Sequence, residues 1–285
     1  MTTTSDAATS IHRTRQGSLK IVHVDRIRQW GTYSVAEARM RIMLKFFWSV
    51  LSTAALNPVL YLVSIGIGVG KLINTHSGGV DNVQYLTFLA PALLASAAIQ
   101  NAMDEVIFPV MEGFKWNKTF FAMNATPLSA KQIANGVFLA AMIRTLFSVA
   151  IYGLMIFLFG GFTSSRGWLA IPFGLFAGAS FGAFIMGLAV AAKNDDTFFM
   201  ILGRLVIMPL FLFSGTFYQL STMPLFLQWI GWLSPLWHAT ELSRFFTYGH
   251  HISPVMIVVH FGYLIAMMIF GIRYTHQQFE KRLSK

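Results

Sequence analysis

Residues 211–244 read FLFSGTFYQLSTMPLFLQWIGWLSPLWHATELSR, and no simple element accounts for them. The stretch begins as the end of an apolar run and breaks at Ser214-Gly215. It then carries Pro224, Gly231 and Pro235 among Leu225, Phe226, Leu227, Trp229, Ile230, Trp232, Leu233 and Trp237. A straight spanning helix tolerates few such breaks, and a water-exposed loop carries few such side chains. Broken backbone at membrane depth is stable only where it is buried in protein or lines a cavity. The stretch is therefore expected to form short re-entrant helices that dip back toward the membrane from one surface. Tryptophan suits the headgroup level, where an amphipathic ring gains on both sides. The plainer reading is an interfacial loop that only anchors. The fuller one places Trp229, Trp232, His238 and Glu241 at one end of a pathway across the membrane.

The rest of the chain supports an integral membrane protein. Hydrophobic residues make up 55% of the 285 positions and charged residues 11%, with a mean hydropathy of +0.59. Soluble domains carry about 25% charged residues. The length allows six spans of about 20 residues with short loops. Apolar segments fall near 48–70, 84–103, 133–159, 168–192, 198–217 and 254–274. Residues 1–32 form a Thr/Ser-rich tail, expected to be disordered, and 33–285 form the transmembrane domain. No apolar core in the first thirty residues is long enough for a cleavable signal, so insertion is expected through the first span. Tyr33 to Phe47 has the spacing of an amphipathic helix: Ala36, Met40, Met43, Leu44 and Phe47 share one face, and Glu37, Arg41 and Lys45 another. Because it abuts the first span, it is expected to lie in the interface.

The net charge of +10 does not point to nucleic acid, because the basic residues flank apolar runs. In a six-span arrangement sixteen of the 21 Lys and Arg fall on the side of the two termini. Only Lys71, Arg166 and Arg244 fall on the other, and Arg144 and Arg204 lie within spans. That asymmetry predicts both termini in the cytoplasm. The longest cytoplasmic connection is then Asp104 to Gln132. It mixes Phe114, Trp116, Phe120 and Phe121 with Lys115 and Lys118. A short helix parallel to the membrane is expected there, then a turn at Thr126-Pro127, with Ser129 capping the next span.

Chemistry is sparse. There is no phosphate loop, no HExxH, no GxSxG and no cysteine. This leaves no ATP site of the phosphate-loop kind, no thiolate chemistry and no metal centre, and no catalytic or cofactor-binding residue is assigned. Gly174, Gly178 and Gly182 recur every four residues, a pattern for close helix packing. Charges at membrane depth are candidate functional residues. Asp104 and Glu105 are expected to close the second span. Arg144 lies near mid-depth, facing a polar pathway or a partner on another helix, and Arg204 lies about two turns into the fifth span. Glu241 and Arg244 are spaced for a local ion pair.

Residues 35–275 resemble the ABC-2 type export permeases, the NodJ-like and daunorubicin-resistance branch above all. The likeness rests on YLTFLAPALLASAAIQNAMDE, on GFKWNKTFFAMNATPLS, and on the 211–244 block with its Pro-Leu-x-His-Ala at 235–239. Gln219 departs from the proline usual in the family, and Trp237 from a position often held by threonine. The resemblance implies an all-α fold of six transmembrane helices, with an amphipathic connecting helix before the first span and re-entrant helices between spans five and six. A coupling helix would carry Phe114, Trp116, Lys118, Phe120 and Phe121. The resemblance also implies a pair of permease chains, identical or paralogous, working with two separate ABC ATPase subunits. ATP and magnesium would sit on those ATPases, and none of it on this chain. Family substrates are amphipathic: lipid-linked oligosaccharides, glycolipids and hydrophobic drugs.

Two alternatives belong to other classes. An intramembrane lipid-modifying enzyme would cluster acids and histidines at one depth, whereas here they are spread along the chain. A non-transporting assembly or sensor partner would not need helices that return into the membrane. The topology is directly testable, helped by the absence of native cysteine. Single cysteines placed at Thr4 and Ser284 are expected to be silent to an impermeant thiol reagent in intact cells and to react after lysis. Labelling of either in intact cells would overturn the orientation.

Overall fold

The computed structural model describes residues 24–45, 47–192 and 202–284, with some side chains in these ranges, Arg204 among them, outside the described residues. Among the described residues there are eleven α-helices: α1 Val24–Lys45, α2 Phe47–Tyr61, α3 Gly70–Ser77, α4 Tyr85–Met111, α5 Thr119–Asn124, α6 Ala130–Leu158, α7 Ala170–Ala191, α8 Met208–Phe213, α9 Leu225–Trp232, α10 Pro235–Tyr248 and α11 Pro254–Leu283. Wider π-helical segments at Leu62–Val69, Glu112–Trp116 and Leu202–Ile207 adjoin them. Each lies within about a turn of a proline (Pro58, Pro109, Pro209), which removes an amide donor and disturbs the hydrogen-bond ladder. Among the described residues there is no strand, only an isolated antiparallel bridge between Val80 and Val83.

Among the described residues five stretches are long and apolar enough to cross a membrane: Val50–Ser77, Tyr85–Trp116, Ala130–Leu158, Ser165–Ala191 and Pro254–Leu283. The remaining expected span, 198–217, begins within 193–201, outside the described residues, and its described part is helical over 202–213. Three expectations need correction. The second span does not end at Asp104-Glu105: helix continues to Met111 and, as a π segment, to Trp116. Those carboxylates therefore lie within a continuous helix, not at its end. The first span runs on to Ser77, well past residue 70. The helix that holds Tyr33 already includes Val24, the first described residue, and its buried face is Val35, Ala36, Arg39 and Met43, while Leu44 is exposed. One face of that helix packs on α6, so packing on protein decides its orientation.

The centre is the pair α4 and α7. Within the candidate spans, 72% of α4's apolar window and 67% of α7's is buried, against 19% for α2 and 17% for α11. Glycine makes this possible. A Cβ at Gly178 would lie 2.7 Å from the Ala98 carbonyl oxygen, and one at Gly174 would lie 3.3 Å from that of Leu94. Gly182 sits against Ala102. Four-residue spacing on both helices thus brings one backbone against the other, as the sequence spacing predicts. On its other side α7 meets α11, where Gly271 lies against the backbone of Ala183 and Phe184. Thr275 Oγ1 donates to Ala183 O at 2.8 Å there, and Ser180 Oγ lies 2.9 Å from Leu264 O.

The two ends of this bundle differ. At one end α1, α5 and the last turns of α11 gather: Asn124 donates to Leu283 O, and Gln132 to Arg28 O. Ser129 caps α6, as expected from the sequence, and Gln132 completes a full capping box with it. At the other end lie the Val80–Val83 hairpin, α9 and α10. The glycine seam predicts a sharp test. Gly178→Val should destabilise the bundle by about 1–3 kcal/mol, the range for overpacking a filled site. A thermal shift of the purified chain in detergent checks it, and an unchanged transition would show that the helices can separate without cost.

Candidate functional site

Ser234 begins α10 as its N-cap, with Pro235 in the first turn. Residues of this helix with i, i+3 spacing then face the interior. Arg244 is 1% exposed. Its Nη2 donates to Gly215 O at 2.9 Å, its Nη1 lies 3.1 Å from Glu241 Oε1, and its guanidinium lies 3.8 Å from the centre of the Phe88 ring. Gly215 has φ +70, and this left-handed turn presents its carbonyl to the arginine. The expected local pair between Glu241 and Arg244 is therefore present, but within a much larger network. His250 Nε2 lies 3.1 Å from Glu241 Oε2 and its Nδ1 lies 2.5 Å from Asp81 Oδ2. Tyr248 and Gln219 also donate to Asp81. Asp81 and Asn82 both have positive φ, which closes the tight hairpin and turns the Asp81 carboxylate toward Gln219, Tyr248 and His250.

With both ring nitrogens donating to carboxylates, His250 is held as imidazolium. The Glu241 hydrogen bond raises its pKa foremost, burial opposes this, and Asp81 adds to the rise. Burial pushes the Glu241 carboxyl up, but the His250 hydrogen bond and the Arg244 and His250 charges outweigh it and hold it below its ordinary value. Two cations thus meet two carboxylates. Beside them lies a second histidine pair. His238 Nε2 faces Trp232 O at 3.0 Å, and its Nδ1 lies 2.7 Å from His260 Nδ1. Burial foremost lowers the His238 pKa, to about 4, so the ring is neutral. Its Nε2 must then donate to the carbonyl, which leaves Nδ1 to accept from His260. Tyr263 stacks on His238 with ring centroids 4.0 Å apart.

Between the two ends, α2, α4 and 203–211 enclose a partly open cavity of about 570 Å³. Its lining combines polar side chains, among them Asn57, Ser96, Gln100, Asn101, Asp104, Glu105 and Ser148 of α6, with apolar ones, of which Leu93, Met208, Leu210 and Phe211 are prominent. The volume lies in the range of small-molecule pockets. Arg144 lies beside it without being part of the lining, and its Nη1 meets Glu105 Oε2 at 2.9 Å, linking α6 to α4. Arg204 is in the π segment next to Gly203, which lines the cavity, and its side chain lies outside the described residues.

The expected coupling residues divide. Phe114 and Phe120 are buried, packed on each other and on Phe279. Arg282 lies 4.4 Å over the Phe114 ring, and Arg39 lies over Phe120 while pairing with Glu112. Trp116, Lys118 and Phe121 are exposed, and Lys118 takes a left-handed conformation that breaks the chain between the π segment and α5. At the opposite end Trp229 and Trp232 are about half exposed on α9, whereas His238 and Glu241 are interior. Sequence reasoning missed Asp81, His250 and His260, because nothing local pairs them with residues 20 to 170 positions away.

Residues 34–248 match the ABC-2 type transporter family, and the chain belongs to it. It is a membrane transport permease of the NodJ-like branch. It is 28% identical to nodulation protein J of Rhizobium leguminosarum bv. viciae over 78% of this chain and 82% of that protein. It is 27% identical to nodulation protein J of Rhizobium meliloti (strain 1021) over 76% and 79%. It is 26% identical to the inner membrane transport permease YadH of Escherichia coli (strain K12) over 74% and 81%.

The ion network predicts a pH dependence with a definite sign. The His250 contribution is fully present below the ordinary histidine pKa of 6.5 and is lost as pH rises through its raised folded value. The Glu241 contribution is present above 4.5 and is lost as pH falls through its lowered value. Thermal stability should therefore fall toward alkaline pH, and His250→Gln should flatten that limb. Arg244→Leu should cost about 3–5 kcal/mol, because it leaves Glu241 buried beside one cation fewer. Wild-type melting by the Leu variant would remove the network from the fold's support.

Proposed function

We propose that this chain is the membrane-spanning subunit of an ATP-binding cassette exporter in the cytoplasmic membrane. It moves an amphipathic molecule (a lipid-linked oligosaccharide, glycolipid or hydrophobic drug) and is powered by ATPase subunits on separate chains. The observation that carries this reading is the mixed lining of the cavity. Amides, carboxylates and apolar side chains all line it, which is complementary to a molecule with both a polar head and an apolar tail. Six spans with both termini cytoplasmic put α5 on the ATPase side and α9 and α10 at the outer face, returning into the membrane. Two copies of the chain, or this chain and a paralogue, would assemble with two ATPases. The weakly buried α2 supports such pairing, since it leaves one side of the cavity to be covered by something other than this chain.

On this reading the exposed and buried aromatics of the coupling region have different jobs. Trp116 and Phe121 offer apolar surface to the ATPase, and buried aromatics carry much of an interface's energy. Phe114 and Phe120 fix the segment to α1 and α11. Trp116→Ala and Phe121→Ala should lower ATPase association or its stimulation by substrate at unchanged permease abundance. Phe120→Ala should lower abundance first, by a core-cavity cost of about 3–5 kcal/mol. ATP turnover in reconstituted complexes, normalised to permease content, checks both. Full coupling in the Trp116 and Phe121 variants would exclude this face as the ATPase contact.

A further inference from the structure

The head-group chemistry of the cavity can be read from its charges. Glu105 and Asp104 are adjacent, both line the cavity, and both lie in the interior of helix α4. Their partners differ. Glu105 is neutralised by Arg144 at 2.9 Å. Asp104 has the Gln100 amide, 3.3 Å and 3.2 Å from its two oxygens, and no cationic partner among the described residues. A partly buried carboxylate without a counter-charge is costly, and in a membrane protein such residues pair or mark a substrate path. Among the described residues no Lys, Arg or His lines the cavity; the Arg204 side chain, next to the lining residue Gly203, is outside them. An anionic head would meet two carboxylates, whereas a cation would complete the unpaired one. The neighbouring Asn101, Asn57 and Ser96 can accept the remaining N–H donors of an ammonium group.

We propose that the cavity between α2, α4 and 203–211 binds amphiphiles whose head carries an ammonium group, with Asp104 as the counter-ion and Gln100 as its positioning partner. The proposal rests on the reading of this cavity as the substrate path. Met208, Leu210 and Phe211 take the adjoining apolar chain. An aminated lipid of the bilayer and a free amine-bearing amphiphile offer the same chemistry, and competition separates them.

The test uses the full chain in neutral maltoside micelles and three dansyl-tagged probes of equal alkyl length: an alkylammonium, an alkyl glucoside and an alkyl phosphate. Wild type is expected to bind the alkylammonium most tightly. Asp104→Asn should weaken that binding by about tenfold or more, in line with losing a desolvated charge pair, and leave the glucoside within about twofold. Asp104→Glu, which keeps the charge, should restore most of the preference and guards against a folding defect. Displacement by an ethanolamine-headgroup lipid would identify the bilayer as the source of the ammonium. Displacement by soluble long-chain amines alone would identify a free amphiphile. Equal binding of all three probes, preference for the phosphate, or an alkylammonium affinity untouched by Asp104→Asn would each overturn the proposal. The same probes added to the reconstituted complex separate the two readings. Asp104-dependent binding with no ATPase response to any probe would sink the exporter reading alone. ATPase stimulation blind to head charge would sink the ammonium site alone.

Discussion

The contact on which everything else depends is the backbone-to-backbone approach of α4 and α7. Two helices in an apolar solvent gain nothing from burying leucine, since lipid is as apolar as leucine. They gain from close dispersion contact and from small residues that permit it. Gly174, Gly178 and Gly182 present that surface, and Leu94, Ala98 and Ala102 receive it. The two most buried spans are therefore those joined by the smallest residues. The other elements attach to this pair. α11 docks on α7 through Gly271, Ser180 and Thr275, and α10 covers its other end.

Much of this was legible because it is periodic. Glycines every four residues announced the seam, Ser129 announced a helix start, and the breaks at Pro224, Gly231 and Pro235 announced α9 and α10. What could not be read was long-range and polar. Arg244 looked like a charge with a local partner. The Phe88 carbonyl and ring that hold it lie 156 residues away, and sequence spacing carries no information about them. His250 and Asp81 were scattered residues until the hairpin turned one toward the other. The second span was cut short at Asp104-Glu105 because two adjacent acids look like a membrane boundary. Inside the protein their cost is offset, for Glu105, by Arg144 from the next helix. Aromatic density between 114 and 121 was read as a docking surface. Half of those rings instead make a core with Phe279, because arginines from α1 and α11 cap them.

Both ends of the bundle use the same device. At one end Arg244 lies over Phe88 and ties α10 to α4, with His250 and Asp81 extending the link to the hairpin. At the other, Arg39 and Arg282 lie over Phe120 and Phe114 and tie α1 and α11 to the segment around α5. A guanidinium over an aromatic face keeps its attraction where water is scarce, and its in-plane N–H groups stay free for carbonyls and carboxylates. Arg244 uses this capacity on Gly215, and Arg282 on Val190 O at 2.8 Å. Each end is thus held by charge, aromatic surface and backbone together.

The middle is built differently. Between the two cross-linked ends, the cavity is bounded by α2 and 203–211 on one side and by α4 on the other. The α2 wall has little buried surface of its own, while α4 is locked to α7 along its length. Displacing α2 relative to α4 would therefore break few contacts, whereas displacing α4 would break the seam. The π segments support the same distinction, because two of the three, Leu62–Val69 and Leu202–Ile207, lie in the weakly held wall. A π turn is a poorer hydrogen-bond ladder than the α-helix around it, and such turns collect at functional sites. If the cavity changes volume as a molecule passes, the change should come from α2 and 203–211 sliding against a fixed α4–α7 core. Asp104 and Gln100, carried on α4, would then stay in place while the wall opposite them moves.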